Sequence, residues 1–359
     1  MATQSKISPE EMEQFYENSK LAGVKPGWLG RGSQPPPKTQ PFLWRWSDVR
    51  PLVHRSGEIV TPDRDVERRT MRLSNPGLDY GTTHTITAAL QLLLPGECAP
   101  AHRHTPTAIR WVLEGEGVST TVEGDKCYME RGDLVLTPSW TWHDHNSEGD
   151  GPMIWLDGLD VPLIQSLDAN FYEAFPEDQQ PVTGVGESEK KYAAGALRPA
   201  WESPNAPYSP LWHYKWERTY DALYRLAQVD ASPFDDVALE FSDPATGGSV
   251  LRTLACWIQM LRPGVKGKAH RHTTSKVYQV FEGEGYTIID GQRFNWTRGD
   301  FFVVPSWSWH EHGNESEQEA ILFSIQDNPV MKTLALLKEE AYEENSGHQP
   351  VTEVFSGAR

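Results

Sequence analysis

Eight of the 12 histidines stand in four His-x-His pairs: His102 and His104, His143 and His145, His270 and His272, His310 and His312. On a strand, residues i and i+2 point to one face, so each pair aims two imidazoles at the same side of a sheet. Imidazole is a good ligand for iron, zinc, copper or nickel. A single pair of this kind is ordinarily a core or surface pair. The second pair follows the first by 41 residues, and all four positions are restated later in the chain. Two sets of four histidines at matching spacing read as two metal sites.

These side chains need strands that face one another. Residues 101–117 (AHRHTPTAIRWVLEGEG) recur at 269–285 (AHRHTTSKVYQVFEGEG), an offset of 168; 131–145 (RGDLVLTPSWTWHDH) recur at 298–312 (RGDFFVVPSWSWHEH), an offset of 167. The chain therefore carries two copies of one structural unit. Short runs such as WVLEGEG and LVLTPSW, bounded by Gly, Pro and Asp every 8–12 residues, read as strands of a small sandwich or barrel. Ser8-Pro9-Glu10-Glu11 is a capping-box start, which predicts a helix over 9–20. Residues 25–42 read as an extended Gly/Pro arm, 177–191 as a surface loop, 329–343 as a helix, and the end after 344 as frayed. The expected layout is an N-terminal helix and arm (1–75), a first barrel with the catalytic metal site (76–165), a connection (166–245), a second barrel (246–335), and a C-terminal helix and tail (336–359).

The motifs resemble those of the cupin superfamily. Gly96 and Gly264 each precede a His-x-His pair by six residues; Gly132, Pro138 and His143, and Gly299, Pro305 and His310, match the second cupin motif. The implied fold is a bicupin: all-β dominated, two double-stranded β-helix (jelly-roll) barrels with accessory N- and C-terminal helices. The glutamate of the first motif is missing. Ala108 and Ile109 stand there in the first copy, Lys276 and Val277 in the second. The site is then three neutral histidines, which leave the full charge of a divalent ion for an anionic chelator. The blocks RRTMRLSNPGL (68–78), APAHRHTPTAIRWVLEGEG (99–117), GDLVLTPSWTWHDH (132–145) and WLDGLD (155–160) resemble the gentisate 1,2-dioxygenase family, which includes salicylate and 1-hydroxy-2-naphthoate dioxygenases.

That resemblance implies Fe(II) held by His102, His104 and His143, chelating the carboxylate and adjacent hydroxyl of a small aromatic hydroxy acid that reacts with O2. Arg110 lies six residues beyond His104, an even number, so an unbroken strand turns it inward to bind a carboxylate; Pro106 is the residue able to break that parity. The resemblance assigns substrate-side roles to Arg68, Asp157 and Gln91, and a hydrogen-bond or proton role to His145. Asp157 would accept from the 5-hydroxyl of gentisate, which salicylate lacks. Thr87 stands where a salicylate-cleaving relative has Trp. His270, His272 and His310 form a possible second metal site, but Tyr278 replaces Arg110 there. Trp140, Trp142, Trp307 and Trp309 read as packing or subunit contact, Cys98 and Cys127 as packed thiols. Salicylate or 1-hydroxy-2-naphthoate cleavage, a non-catalytic binding or storage bicupin, and a cupin isomerase using another metal remain the alternatives.

Composition bounds the rest. Net charge is −17, which excludes a nucleic-acid or anionic-membrane partner. Three cysteines make no disulfide framework, and neither a signal core nor an apolar membrane span is seen. The expectation is a cytoplasmic protein, and the resemblance implies a homotetramer or other homo-oligomer.

Overall fold

The computed structural model describes residues 8–28, 38–62, 66, 68–195, 197–202 and 207–357. Residues to Pro37 form a unit of their own. Its helix, Pro9–Leu21, starts on the capping box expected from the sequence: the Ser8 hydroxyl accepts from the Glu11 amide while Glu11 accepts from the Ser8 amide. Residues 29–37 of the expected arm lie outside the described residues.

From Lys38 onward the chain builds two barrels of two six-stranded sheets each. In barrel 1 one sheet orders His213–Tyr214, Leu134–Thr137, Ala108–Glu114, Met153–Leu159, Thr87–Leu93 and Thr70–Arg72; the other orders Tyr172–Ala174, Cys98–His104, His143–Ser147, Val118–Val122, Asp125–Met129 and Gly184–Val185. Barrel 2 repeats this with Phe42–Trp44, Phe301–Val304, Lys276–Glu282, Ala320–Gln326, Ala255–Leu261 and Val237–Glu240 against Glu339–Ala341, His270–His272, His310–Gly313, Glu284–Ile289, Gln292–Thr297 and Glu353–Val354.

The strand Thr87–Leu93 is buried along its whole length because both its faces are used. Leu93 joins Val112, Val135 and Trp155 inside barrel 1, while Ala88, Leu90 and Leu92 pack with Trp111, Ile258, Phe323 and Ile325 between the barrels. Trp111 is the centre of that inter-barrel core. It lies flat on Phe323, ring centroids 4.2 Å apart at 2°, and its Nε1 donates to Gln279 Oε1 at 3.1 Å. Gly158 makes the approach possible, since a Cβ there would lie 2.4 Å from Ile325 Cδ1. Trp111→Ala is expected to cost about 3–5 kcal/mol, read as a lowered denaturant midpoint at unchanged m-value; a cost below about 1 kcal/mol would place the adhesion between barrels elsewhere.

Each barrel is completed by the segment that precedes the other. Phe42–Trp44 pairs with Phe301–Val303 of barrel 2, and His213–Tyr214 pairs with Leu134–Val135 of barrel 1. A buried carboxylate fixes each arm. Asp300 accepts from Arg45 and from the Trp46 amide; Asp133 accepts from His213, Lys215 and the Trp216 amide. The chain from 166 to 245 is thus spent largely on barrel edges.

Three sequence expectations need correction. The C-terminal helix is present but short, Asn328–Thr333, because Ala335 takes a left-handed φ of 56° and the chain returns as the strand Glu339–Ala341 on the edge of His270–His272. An open strand edge there outweighs the helical propensity of LALLKEEAYE. The end after 344 is pinned: Gln349 is buried and bonds the Gly291 amide and the Ile288 carbonyl. Gln180 does the same in barrel 1 with Gly124 and Thr121, so the polar stretch 177–191 is a tied-down return with its own strand and the helix Glu187–Tyr192. Cys127 is buried, whereas Cys98 is only partly so. No described helix is long and apolar enough to cross a membrane.

Candidate active site

The strand Cys98–His104 brings His102 and His104 into barrel 1, and the antiparallel neighbour His143–Ser147 places His143 opposite His102. The three rings converge, with centroids 5.3 Å (His102–His104), 4.7 Å (His102–His143) and 4.9 Å (His104–His143) apart, and their candidate ligand atoms lie within 4.8 Å of one another. Backbone carbonyls set the tautomers. His104 Nδ1 donates to Pro106 O at 2.7 Å and His143 Nδ1 to Thr141 O at 3.0 Å, which leaves the Nε2 lone pairs pointing into the barrel. His143 Nε2 is buried and meets no described partner. Burial, reinforced by neighbouring positive charge, pushes all three histidines down, His104 to about 4. They are neutral near pH 7, the form that ligates metal.

The turn before the third ligand is strained. Trp140 holds φ at 63°, unusual for a bulky residue, and its amide donates to His104 O at 2.8 Å. Arg103 caps both Trp140 and Trp142, 4.6 and 4.3 Å from their ring centres, and pairs with Glu173. Trp307, Trp309, Arg271 and Glu340 repeat the arrangement in barrel 2. These tryptophans stack under their arginines beside the ligand strands.

Arg110 does turn inward, because the strand breaks at Thr105–Thr107 and restarts at Ala108 with its parity kept. It is buried, donating from Nη1 to Thr137 Oγ1 at 2.6 Å and from Nε to His145 Nε2 at 3.1 Å. Nε also lies 3.5 Å from Asp157 Oδ1, on the residue directly across the ladder. His145 Nε2 is therefore an acceptor, and its Nδ1 proton goes to Thr120 Oγ1 at 2.8 Å. Both ring nitrogens are engaged within the protein, so His145 orients Arg110. Asp157 also accepts from Trp155 Nε1 at 2.9 Å. Burial lifts its carboxyl to about 6 against the opposing pull of Arg110. The positive charge of Arg68 bears on the same three histidines and on Asp157, and Arg68 Nη1 donates to Pro100 O. Gln91 Nε2 and Thr87 Oγ1 are buried on the same sheet without a described partner, two polar groups with spare hydrogen-bonding capacity. The bracing groups Thr120, Thr137 and Trp155 escaped the sequence reading. Strand parity alone would have turned Thr137 and Trp155 inward, but neither residue type signals a site.

The second set matches in geometry. His270, His272 and His310 have ring centroids 5.5 Å (His270–His272), 4.3 Å (His270–His310) and 4.8 Å (His272–His310) apart.

Two jelly rolls, each with a His-x-His strand facing a third histidine, define a bicupin. The cupin domain family matches residues 89–159 and 257–326. Over nearly its whole length the chain is similar to 5-aminosalicylate 1,2-dioxygenase of Comamonas sp. (40% identity, 97% of this chain and 95% of that one). It is also similar to gentisate 1,2-dioxygenase of Streptomyces sp. (40% identity, 91% and 94%). Salicylate 1,2-dioxygenase of Pseudoaminobacter salicylatoxidans, solved with gentisate, superposes with a TM-score of 0.87 at 36% identity over 94% of this chain and 96% of that one. The chain belongs to this family of ring-cleaving bicupin 1,2-dioxygenases and is an oxidoreductase of that kind.

Proposed function

We propose that barrel 1 is an Fe(II)-dependent site that cleaves gentisate with O2 to maleylpyruvate. The observation that carries this reading is the buried Arg110–Asp157 pair set beside three neutral histidines. The donor set fits the metal: three imidazoles, two of them with Nδ1 committed to carbonyls, and the buried Nε2 of His143 meeting no described partner. His102, His104 and His143 would hold ferrous iron, which would supply Lewis acidity for a chelating carboxylate–hydroxyl pair and electrons for dioxygen.

The protein does the positioning. Arg110, held by Thr137 and His145, presents a fixed guanidinium to the substrate carboxylate, and Arg68 adds positive charge on the same side. Gln91 offers a donor to the substrate oxygens. Asp157, above about pH 6, accepts from a donor at ring position 5. The relatives named above include a 5-aminosalicylate and a gentisate 1,2-dioxygenase. A 5-amino group offers Asp157 the same donor as a 5-hydroxyl, so 5-aminosalicylate is the second reading.

The test is oxygen uptake by iron-loaded protein across gentisate, 5-aminosalicylate, salicylate and 1-hydroxy-2-naphthoate, with detection of the ring-opened product. Gentisate is expected to lead; no uptake with any of the four would end the proposal. In Asp157→Asn the preference for gentisate over salicylate is expected to fall about tenfold to a hundredfold, the worth of one hydrogen bond to a charged acceptor. An unchanged ratio would remove Asp157 from substrate selection.

A further inference from the structure

Barrel 2 repeats the histidines of barrel 1 but not their surroundings. By register Tyr278 stands where Arg110 does, Lys276 at Ala108, Trp257 at Ala89, Phe302 at Val135 and Ser324 at Asp157. Tyr278 stacks on Phe302, centroids 4.7 Å apart at 9°, and meets His312 edge-on at 5.1 Å. Lys276 is 2% exposed, and its Nζ sits 5.0 Å from the centre of the Trp257 ring. Two alanines of barrel 1 are thus replaced by an indole and a lysine, and the guanidinium clamp by a phenol packed between rings.

The metal-binding half of the design is nevertheless intact. His272 Nδ1 is bonded by Thr274 through its carbonyl, at 3.0 Å, and its hydroxyl, at 2.6 Å; His310 Nδ1 donates to Ser308 O at 3.1 Å. The Nε2 atoms of both rings are buried and meet no described partner. A buried polar atom left unpaired costs about 1–3 kcal/mol, and here two such atoms converge with a third imidazole, a cost that a bound cation removes. The strand carrying His270 and His272 also holds the C-terminal strand Glu339–Ala341.

We infer that barrel 2 binds a divalent transition metal as a structural clamp and is closed to the aromatic acid. The bond between metal and triad locks His270–His272 to His310–Gly313, and with them the returning C-terminal segment. Asp235, from the segment before barrel 2, opposes the charge of Lys276, a neutral balance in place of the cationic pocket of barrel 1.

The experiment is anaerobic reconstitution of chelator-stripped protein with Fe(II), followed by metal analysis, melting and oxygen uptake. Wild type is expected to bind two equivalents per chain, and His143→Ala and His310→Ala one each. His310→Ala should keep wild-type turnover per chain. Chelation of the metal remaining in His143→Ala should lower Tm by roughly 5 °C, while that protein shows no oxygen uptake with gentisate. Wild type saturating at one equivalent, or His143→Ala retaining none, overturns the metal site. Turnover by His143→Ala, or a loss of half or more in folded His310→Ala, overturns the closed pocket. Should His310→Ala not fold, His143→Ala decides both points alone. The metal count does not involve the barrel 1 substrate: a wrong substrate gives an idle wild type with two metals still bound.

Discussion

His143→Ala is expected to lower oxygen uptake with gentisate at least about a thousandfold, since it removes several kcal/mol of metal-derived stabilisation at a stroke. The ring completes a triangle with His102 and His104, at 4.7 and 4.9 Å, so its loss leaves only two imidazoles that would hold a metal. A purely structural role for His143 would lower the melting temperature of the variant with or without metal, and ligation would not. In the metal-free protein its Nε2 is an unpaired buried atom, so trimming the ring removes a polar liability along with some packing. Metal-free variant and metal-free wild type should therefore melt within a few degrees of each other, whereas the metal-loaded proteins diverge. If the variant keeps more than about a tenth of wild-type uptake at saturating iron, His143 is not a ligand and the triad reading fails.

The triad was legible because ligation demands particular residue types at particular parity, and duplication wrote the demand twice. Arg110 was legible for the same reason once the strand was known to restart at Ala108. What could not be read were features decided by distant partners. The helix expected over 329–343 gave way at Ala335 because an unpaired strand edge lay waiting at His270–His272, a contact no local window contains. The exchange of arms was hidden likewise: Trp44-Arg45-Trp46 and Tyr214-Lys215-Trp216 share only a three-residue aromatic–cation–Trp pattern, yet each delivers a cation and an amide to a buried aspartate at the head of a strand. The partners of His145 were hidden as well. Sequence put it near the metal, but only coordinates reveal that Arg110 and Thr120 occupy both its nitrogens.

Arg110→Ala should reduce kcat/KM for gentisate by about a hundredfold to a thousandfold, the usual consequence of deleting one partner of a buried, hydrogen-bonded charge pair. Two effects contribute, and pH separates them. The substrate carboxylate loses its fork, which acts at every pH. Asp157 loses the cation that pulls its carboxyl down towards the acid range; burial already holds that carboxyl at about 6, so without Arg110 it rises further. Because the carboxylate form accepts the substrate donor, the acid limb of the kcat/KM profile, expected near pH 6 in wild type, must move to higher pH in the variant. Arg110→Lys keeps a positive charge beside Asp157 but not the planar fork. It should leave the limb near its wild-type position while recovering less than about a tenth of the lost activity. A lysine variant that restored full turnover would reduce Arg110 to a point charge. An alanine variant losing less than about tenfold, with an unmoved limb, would make the guanidinium a brace for Thr137 and His145 and leave the substrate carboxylate to Arg68.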